Sequence, residues 1–371
     1  MSLQKPLDAA VVASEVSDLQ TYRDVPHTRW QGRWIVLAIS GLALVLGFAF
    51  IWLHAVSPSD GTLMEPGQQT WIPAGVVVTP LERHPGGLQP GDVIVAINGR
   101  SLEVWKEGLM KFNAPPPQWH VGQTITYTVQ RGGHLLTIPV ILGHYPWREV
   151  IQQSWSLLLY FLVFALVGTY VFLRLPADRA TGVLFLSTST LLAAEGVWSL
   201  GLQVSDITGD LGFWLSTVMA LVVTPVCWAA FLHFVLLFPR LHPVLQGRRW
   251  IVVGLYLLPF PCNLAYLVVA HALASGTLDW IEPWNPASNT LILVYMALIV
   301  LVLWSNVRAR LDAVAHQQIR WIVFAGLLSG GSDLLLWIVP ADVLKHPIIS
   351  LNALGLLLLP IPLALAVAIL R

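Results

Sequence analysis

Eight runs of apolar residues, each long enough to cross a bilayer, constrain this chain more than any other feature. They cover about 34–56, 155–173, 182–202, 213–238, 250–273, 290–307, 321–339 and 348–370. A helix needs about 20 apolar residues to cross a hydrocarbon core of about 30 Å, and within it every backbone polar group must be paired inside the segment. Composition points the same way. Hydrophobic residues make up 56% of the chain and charged residues 11%, where a soluble domain carries about 25% charged. So few charges cannot cover a water-facing surface of normal size. Twenty Lys+Arg balance twenty Asp+Glu, so the basic excess that marks a nucleic-acid partner is absent. The fold class expected is an α-helical polytopic membrane protein of eight spans, with the lipid bilayer as its first partner.

The runs divide the chain. Residues 1–33 form a polar tail. The run at 34–56 is too long for the apolar core of a cleaved signal and reads as a signal-anchor transmembrane helix. Residues 57–150 have ordinary composition, with seven acids and six bases, and the size of one small domain. Residues 151–371 hold seven spans joined by short links. Arg174, Arg179, Arg240, Arg248, Arg249, Arg308, Arg310 and Arg320 fall on one set of links. The other set holds Lys345 with Asp206, Asp210, Asp279, Glu282 and Asp342. Short loops rich in Lys and Arg stay in the cytoplasm. Both termini, with Lys5, Arg23, Arg29, Arg33 and Arg371, are therefore expected inside and 57–150 outside. Trp30, Trp34, Trp52, Trp147, Trp155, Trp198, Trp214, Trp250, Trp304, Trp321 and Trp337 stand near span ends, where an indole bridges apolar and wet regions. Cys227 and Cys262 lie within spans and read as small apolar side chains. The inserted region has no cysteine and needs its own core.

Within the insert, Gly75-Val-Val-Val-Thr-Pro-Leu reads as a strand, 93–97 as a second, and Asn98-Gly99 as a tight hairpin turn. The stretch 82–92 is turn-rich, ending in Pro90-Gly91-Asp92. The spacing at 102–112 predicts a helix, with Val104, Trp105, Leu109 and Phe112 on one face. Beyond Pro115–Pro117, 124–130 and 135–142 alternate as strands around Gly132-Gly133, giving a small barrel of short strands with one helix. The string Gly87-Leu-Gln-Pro-Gly-Asp-Val-Ile-Val-Ala-Ile-Asn-Gly-Arg after Gly75-Val-Val-Val resembles a bacterial PDZ domain over about 70–142. The resemblance implies binding of an extended peptide or protein C-terminus as an added strand. It places a carboxylate-binding loop at Trp71, Ile72, Pro73, Ala74 and Gly75, and a peptide-pairing strand at Val76, Val77 and Val78. A domain that merely spaces the spans or contacts them is the plainer reading.

Three further strings, Leu232-His-Phe-Val-Leu-Leu-Phe-Pro-Arg240, Ala315-His-Gln-Gln-Ile-Arg-Trp321 and Pro360-Ile-Pro-Leu-Ala-Leu-Ala-Val-Ala-Ile-Leu-Arg371, make the chain resemble the membrane sensor region of bacterial histidine kinases of the quorum-sensing ComP-like type. That resemblance implies the bacterial cell membrane, signal reception in a two-component system, a homodimer, and a kinase domain only if a cytoplasmic part follows Arg371. The other function carried by the same motifs is a membrane-anchored PDZ adaptor without output. No catalytic motif, metal site or cofactor is expected. No two histidines stand four apart around a glutamate, which excludes the zinc chemistry of an intramembrane metalloprotease. Repeat symmetry and paired broken helices, the marks of a transporter, are not evident.

Glu195 and Asp333 are the two acids inside apolar runs. A charge near the bilayer centre costs several kcal/mol, so such acids face protein interior or water. They are expected to share an outward-facing pocket between the third and seventh spans, as a signal-ligand or proton-sensitive site, or more simply as interhelical hydrogen-bonding groups. His233 and His271 read as interfacial hydrogen-bonding residues, Asn263, Asn352 and Ser332 as interhelical glue, and Pro225 as a kink.

Overall fold

The computed structural model describes residues 32–64, 70–81, 87–111, 117–209, 211–273, 286–309 and 313–370. Lys5, Arg23, Arg29, Trp30, Phe112, Pro115, Pro116, Asp210, Asp279, Glu282, Arg310, Arg371 and residues 82–86 lie outside them, as does the side chain of Asp342.

Eight helices among the described residues are long and apolar enough to span a membrane: α1 (Arg33–Val56), α3 (Trp147–Arg174), α4 (Arg179–Leu200), α6 (Leu211–Leu237), α7 (Arg249–Leu273), α8 (Pro286–Arg308), α9 (Ala313–Ala341) and α10 (Leu351–Leu370). The two short helices are α2 (Leu102–Lys111) and α5 (Val204–Gly209). The chain is thus a polytopic helical membrane protein. Local chemistry sets the ends. Asp178 caps α4 by accepting from the Thr181 amide at 3.0 Å, and Gly201 (φ 70°) stops it in a conformation open to glycine. Ser350 caps α10. Where Pro225 was expected to kink the fourth span, a π-helical turn at Met219–Val223 immediately precedes it. The ring cannot donate a backbone bond, and a widened turn absorbs that loss. α9 contains two such turns, Gly326–Gly330 and Leu334–Ile338, on either side of Gly331–Asp333.

The insert folds into one antiparallel sheet, β1 (Thr62–Leu63), β2 (Trp71–Ile72), β3 (Gly75–Pro80), β4 (Asp92–Ile97), β5 (Arg100–Ser101), β6 (Thr124–Arg131) and β7 (His134–Ile141). The order is β1-β3-β4-β6-β7, with β2 pairing β3 and β5 pairing β4. The hairpin at Asn98 (φ 50°) and Gly99 (φ 74°) takes the turn expected of that dipeptide. Ile125, Tyr127 and Val129 point inward along β6, as a two-residue period requires. On α2 the core face is Leu102 and Leu109 with Trp105 partly buried. Val104 is exposed, contrary to the reading above, because two residues from Leu102 along a helix is more than half a turn away.

The sheet core does not close on itself. Val76, Ile94, Ile97, Ile125, Tyr127 and Val129 belong to one buried apolar cluster with Phe50 of α1, Ala193, Val197 and Leu200 of α4, and Phe213 and Met219 of α6. A second cluster joins α3, α4, α6, α8, α9 and α10. In it, Gly355 of α10 lets the helix lie against α3 so closely that an added Cβ would meet the Leu157 amide nitrogen, and Ser156 Oγ donates to the Asn352 carbonyl at 2.6 Å.

Candidate functional site

Two polar regions stand out, one at the seam between the sheet and the helices and one within the helices.

The seam is built from segments far apart in the chain. Directly after α1, Asp60 is buried, and its carboxylate is filled by four donors. Oδ1 accepts from the Thr62 amide (2.9 Å) and hydroxyl (2.7 Å). Oδ2 accepts from the Tyr127 hydroxyl of β6 (2.6 Å) and from the Ser205 amide at the start of α5 (3.1 Å). Three elements therefore meet on one side chain. Around it, Gln203 Nε2 donates to Ser59 Oγ at 2.8 Å, the Met64 amide to the Leu202 carbonyl at 2.9 Å, the Tyr145 hydroxyl to the Leu200 carbonyl at 2.8 Å, and Trp119 Nε1 to Thr208 Oγ1 at 2.9 Å. Asp206 ties its own turn by accepting from the Gln203 amide at 2.7 Å. Its Oδ2 also lies 3.3 Å from His54 Nε2, while His54 Nδ1 lies 3.1 Å from the Phe50 carbonyl. Both ring nitrogens face oxygens. A carbonyl can only accept, so Nδ1 carries a proton, and the Nε2–carboxylate approach needs a second one.

Burial holds Asp60 above the usual carboxylate range, opposed by the bonds from Tyr127 and Thr62 and reinforced by the nearby Asp206. Burial, then the charge of Asp60, pushes the Tyr127 phenol well up, and burial does the same to Tyr145. Tyr127 therefore stays a donor. Around Asp60 the seam is a closed network of buried hydrogen bonds, with the His54 Nε2–Asp206 approach beside it, and is suited to transmitting position rather than to chemistry.

The 71–78 segment lies beside this seam. Trp71 and Ile72 form strand β2, and Pro73-Ala74 turn the chain into β3. Trp71 is buried, its ring meeting Phe213 of α6 edge to face with centroids 6.3 Å apart. Val76, Val77 and Val78 pair with Ile94, Val93 and Asp92 on one side. On the other side Gly75 and Val76 pair with Ile72 and Trp71, the Val77 amide donates to Thr70 at 2.7 Å, and Thr79 and Pro80 pair with β1. Both edges of β3 are thus taken within the chain. Gly75 is required by packing, since a Cβ there would meet the Ile94 carbonyl.

The second region lies among the spans. Glu195 of α4 and Asp333 of α9 are close enough to repel each other, and Tyr160 of α3 lies within electrostatic range of both and of Cys227 of α6. The structure brings the two acids near each other, each only half-buried. Cys227 Sγ donates to the Ser187 carbonyl at 3.4 Å, whereas Thr224 Oγ1, one turn from it, is buried without a partner. Trp198 and Trp337, expected at a lipid interface, meet each other edge-on at 6.1 Å, with Trp337 buried.

The other candidates separate. His233 Nδ1 lies 3.3 Å from the Tyr256 hydroxyl, which links α6 to α7. Asn352 joins α10 to α3. Asn263 is buried without partners, and Ser332 donates to its own helix at Leu328, so neither serves as glue between the described helices. Cys227 is buried and Cys262 exposed. Sequence reasoning missed Asp60, Tyr127 and His54 entirely, and read Asp206 only as a marker of topology. The one available signal was the polar string Ser57-Pro-Ser-Asp60 immediately after an apolar span. No family model, curated protein or solved structure matches the chain.

Proposed function

We propose that the chain is the membrane-embedded, signal-receiving region of a two-component-type sensor kinase, with its sheet domain outside the cytoplasm as the part that meets an extracellular peptide or envelope protein. One observation carries this reading: the sheet domain shares a continuous apolar core with α1, α4 and α6. A ligand that shifts the sheet therefore shifts helix ends, provided that it binds the two positions with different affinity. Asp60 is the link, because its carboxylate joins the end of α1 to β6 and to the α4–α6 connection. A peptide that adds to the Val76–Val78 backbone has to replace the bonds now made by Trp71, Ile72 and Thr70. That exchange would loosen Trp71 from Phe213 and so report ligand to α6. Phosphotransfer is not assigned to the described residues.

The test is amide hydrogen exchange on the full chain in nanodiscs, with and without peptides from the medium of the source cells. Saturable binding with altered exchange at both 70–78 and 201–208 is expected. Binding that leaves 201–208 unchanged would fit an adaptor and contradict a receptor.

A further inference from the structure

We propose that the crevice between α3, α4 and α9 is a binding site for an organic ammonium cation, held by Glu195 and Asp333 and walled by aromatic rings. The proposal stands apart from the receptor reading and survives its failure.

Geometry places the acids opposite each other. α4 and α9 are the third and seventh spans and run in the same direction. Glu195 lies three residues before Trp198, and Asp333 four before Trp337, so each acid shares a helix face with its indole, one turn away. Because the two indoles are in contact, the two carboxyls sit at one level, on the same side of the ring pair. Neither acid has a hydrogen-bond or ion-pair partner among the described residues. No Lys or Arg occurs at 149–173, 180–238 or 321–344, the stretches that surround them. Two acids at membrane depth with no cation of their own leave a negative site that a ligand or protons must neutralise.

Tyr160 supplies the independent observation. Its side chain is 6% exposed. It lies within electrostatic range of Glu195, Asp333 and Cys227, and its hydroxyl has no hydrogen-bond partner among the described residues. A buried phenol ordinarily finds one. Here it lies near both acids with its donor and acceptor unused among the described residues.

The lining selects the kind of cation. A dehydrated metal ion needs several oxygen or nitrogen ligands, and no group of three His, Cys, Asp or Glu able to hold one is found among the described residues. Rings of Tyr160, Trp198 and Trp337 beside two carboxyls instead suit an alkylated ammonium, whose charge meets carboxylate and ring faces while its methyl groups are buried.

The probe is benzyltrimethylammonium, titrated by equilibrium dialysis into nanodiscs carrying the full chain. Its uncharged isostere, neopentylbenzene, and sodium chloride serve as competitors, and empty nanodiscs as the blank. Saturable binding of about one cation per chain is expected, with little competition from the isostere. Glu195→Gln and Asp333→Asn, which keep side-chain shape, should each weaken binding at least tenfold. Trp337→Leu, which keeps an apolar wall but removes a ring, should weaken it about threefold or more. Circular dichroism and size-exclusion profiles would show whether each variant stays folded, and Tyr160→Phe offers a milder variant with a loss of about threefold. Absence of saturable binding, retention of full affinity in both amide variants, or equal competition by neopentylbenzene would overturn the proposal. Displacement by millimolar sodium would overturn it too, by assigning the crevice to an inorganic cation.

Discussion

The two polar regions of this protein follow opposite rules. At the seam, Asp60 is closed in and all of its acceptor capacity is used by Thr62, Tyr127 and Ser205. Among the spans, Glu195 and Asp333 lie near each other with none of theirs used by the described residues. A buried group that is fully bonded is costly to lose, because its removal orphans each partner. A carboxyl that bonds nothing in the resting protein can be neutralised without orphaning anything. The seam therefore reads as a structural coupling, and the two acids as groups that the described fold does not need for its own bonding.

Removing the centre of the seam tests this contrast with the largest effect. Asp60→Ala leaves the Tyr127 hydroxyl and the Ser205 amide unpaired in a dry site and should destabilise docking of the sheet domain by about 3 kcal/mol. The measure is the urea midpoint of sheet-domain tryptophan fluorescence in the full chain. Tyr127→Phe removes one charge-assisted bond and should lower the same stability by about 1–2 kcal/mol. A loss below about 0.5 kcal/mol for Asp60→Ala would place the seam in the same class as the crevice.

Acidity sharpens the contrast further. Asp60 holds its proton more tightly in the folded protein than in the unfolded chain. Its contribution to stability is then fully present below the ordinary carboxylate pKa and is lost as pH rises through the raised value. Tyr127, Asp206, His54 and Tyr145 face the same seam, so the Asp60 part is the difference between wild type and Asp60→Asn. Docking stability should fall with rising pH in the wild type over that window, and more steeply than in the variant. The smallest expected effect lies in the crevice. Glu195→Gln and Asp333→Asn should each change thermal stability by no more than about 0.5 kcal/mol, or raise it, since no bond is lost and a charge is removed from a low-dielectric site. A loss of about 2 kcal/mol in either would show the acids to be structural.

What the residue pattern makes legible follows from how far apart the interacting residues are. The spans, β3, β4, β6 and β7, and the Asn98-Gly99 turn are local matters of hydrophobic length, alternation and turn chemistry, and all are readable. Glu195 and Asp333 are readable as well, because an acid inside an apolar run is rare by itself. The seam is not readable. Asp60 meets Tyr127 across 67 positions and Ser205 across 145, and no periodicity connects such residues. The PDZ resemblance puts Trp71 in a carboxylate-binding loop, whereas the structure puts it in strand β2. Its burial against Phe213 depends on docking, which no local signal reports. Trp198 and Trp337 show the same limit. Each matches the pattern of a lipid-interface anchor, yet each is held by the other.

The central claim is that the sheet domain and the helix ends move as one body through Asp60. The direct measurement is amide hydrogen exchange of the full chain in nanodiscs, wild type against Asp60→Ala. Protection should drop together at 59–64, at 125–129 and at 201–208, while α3 and the Gly355 contact of α10 stay protected. Loss confined to 59–64, with 201–208 as protected as in the wild type, would contradict the claim.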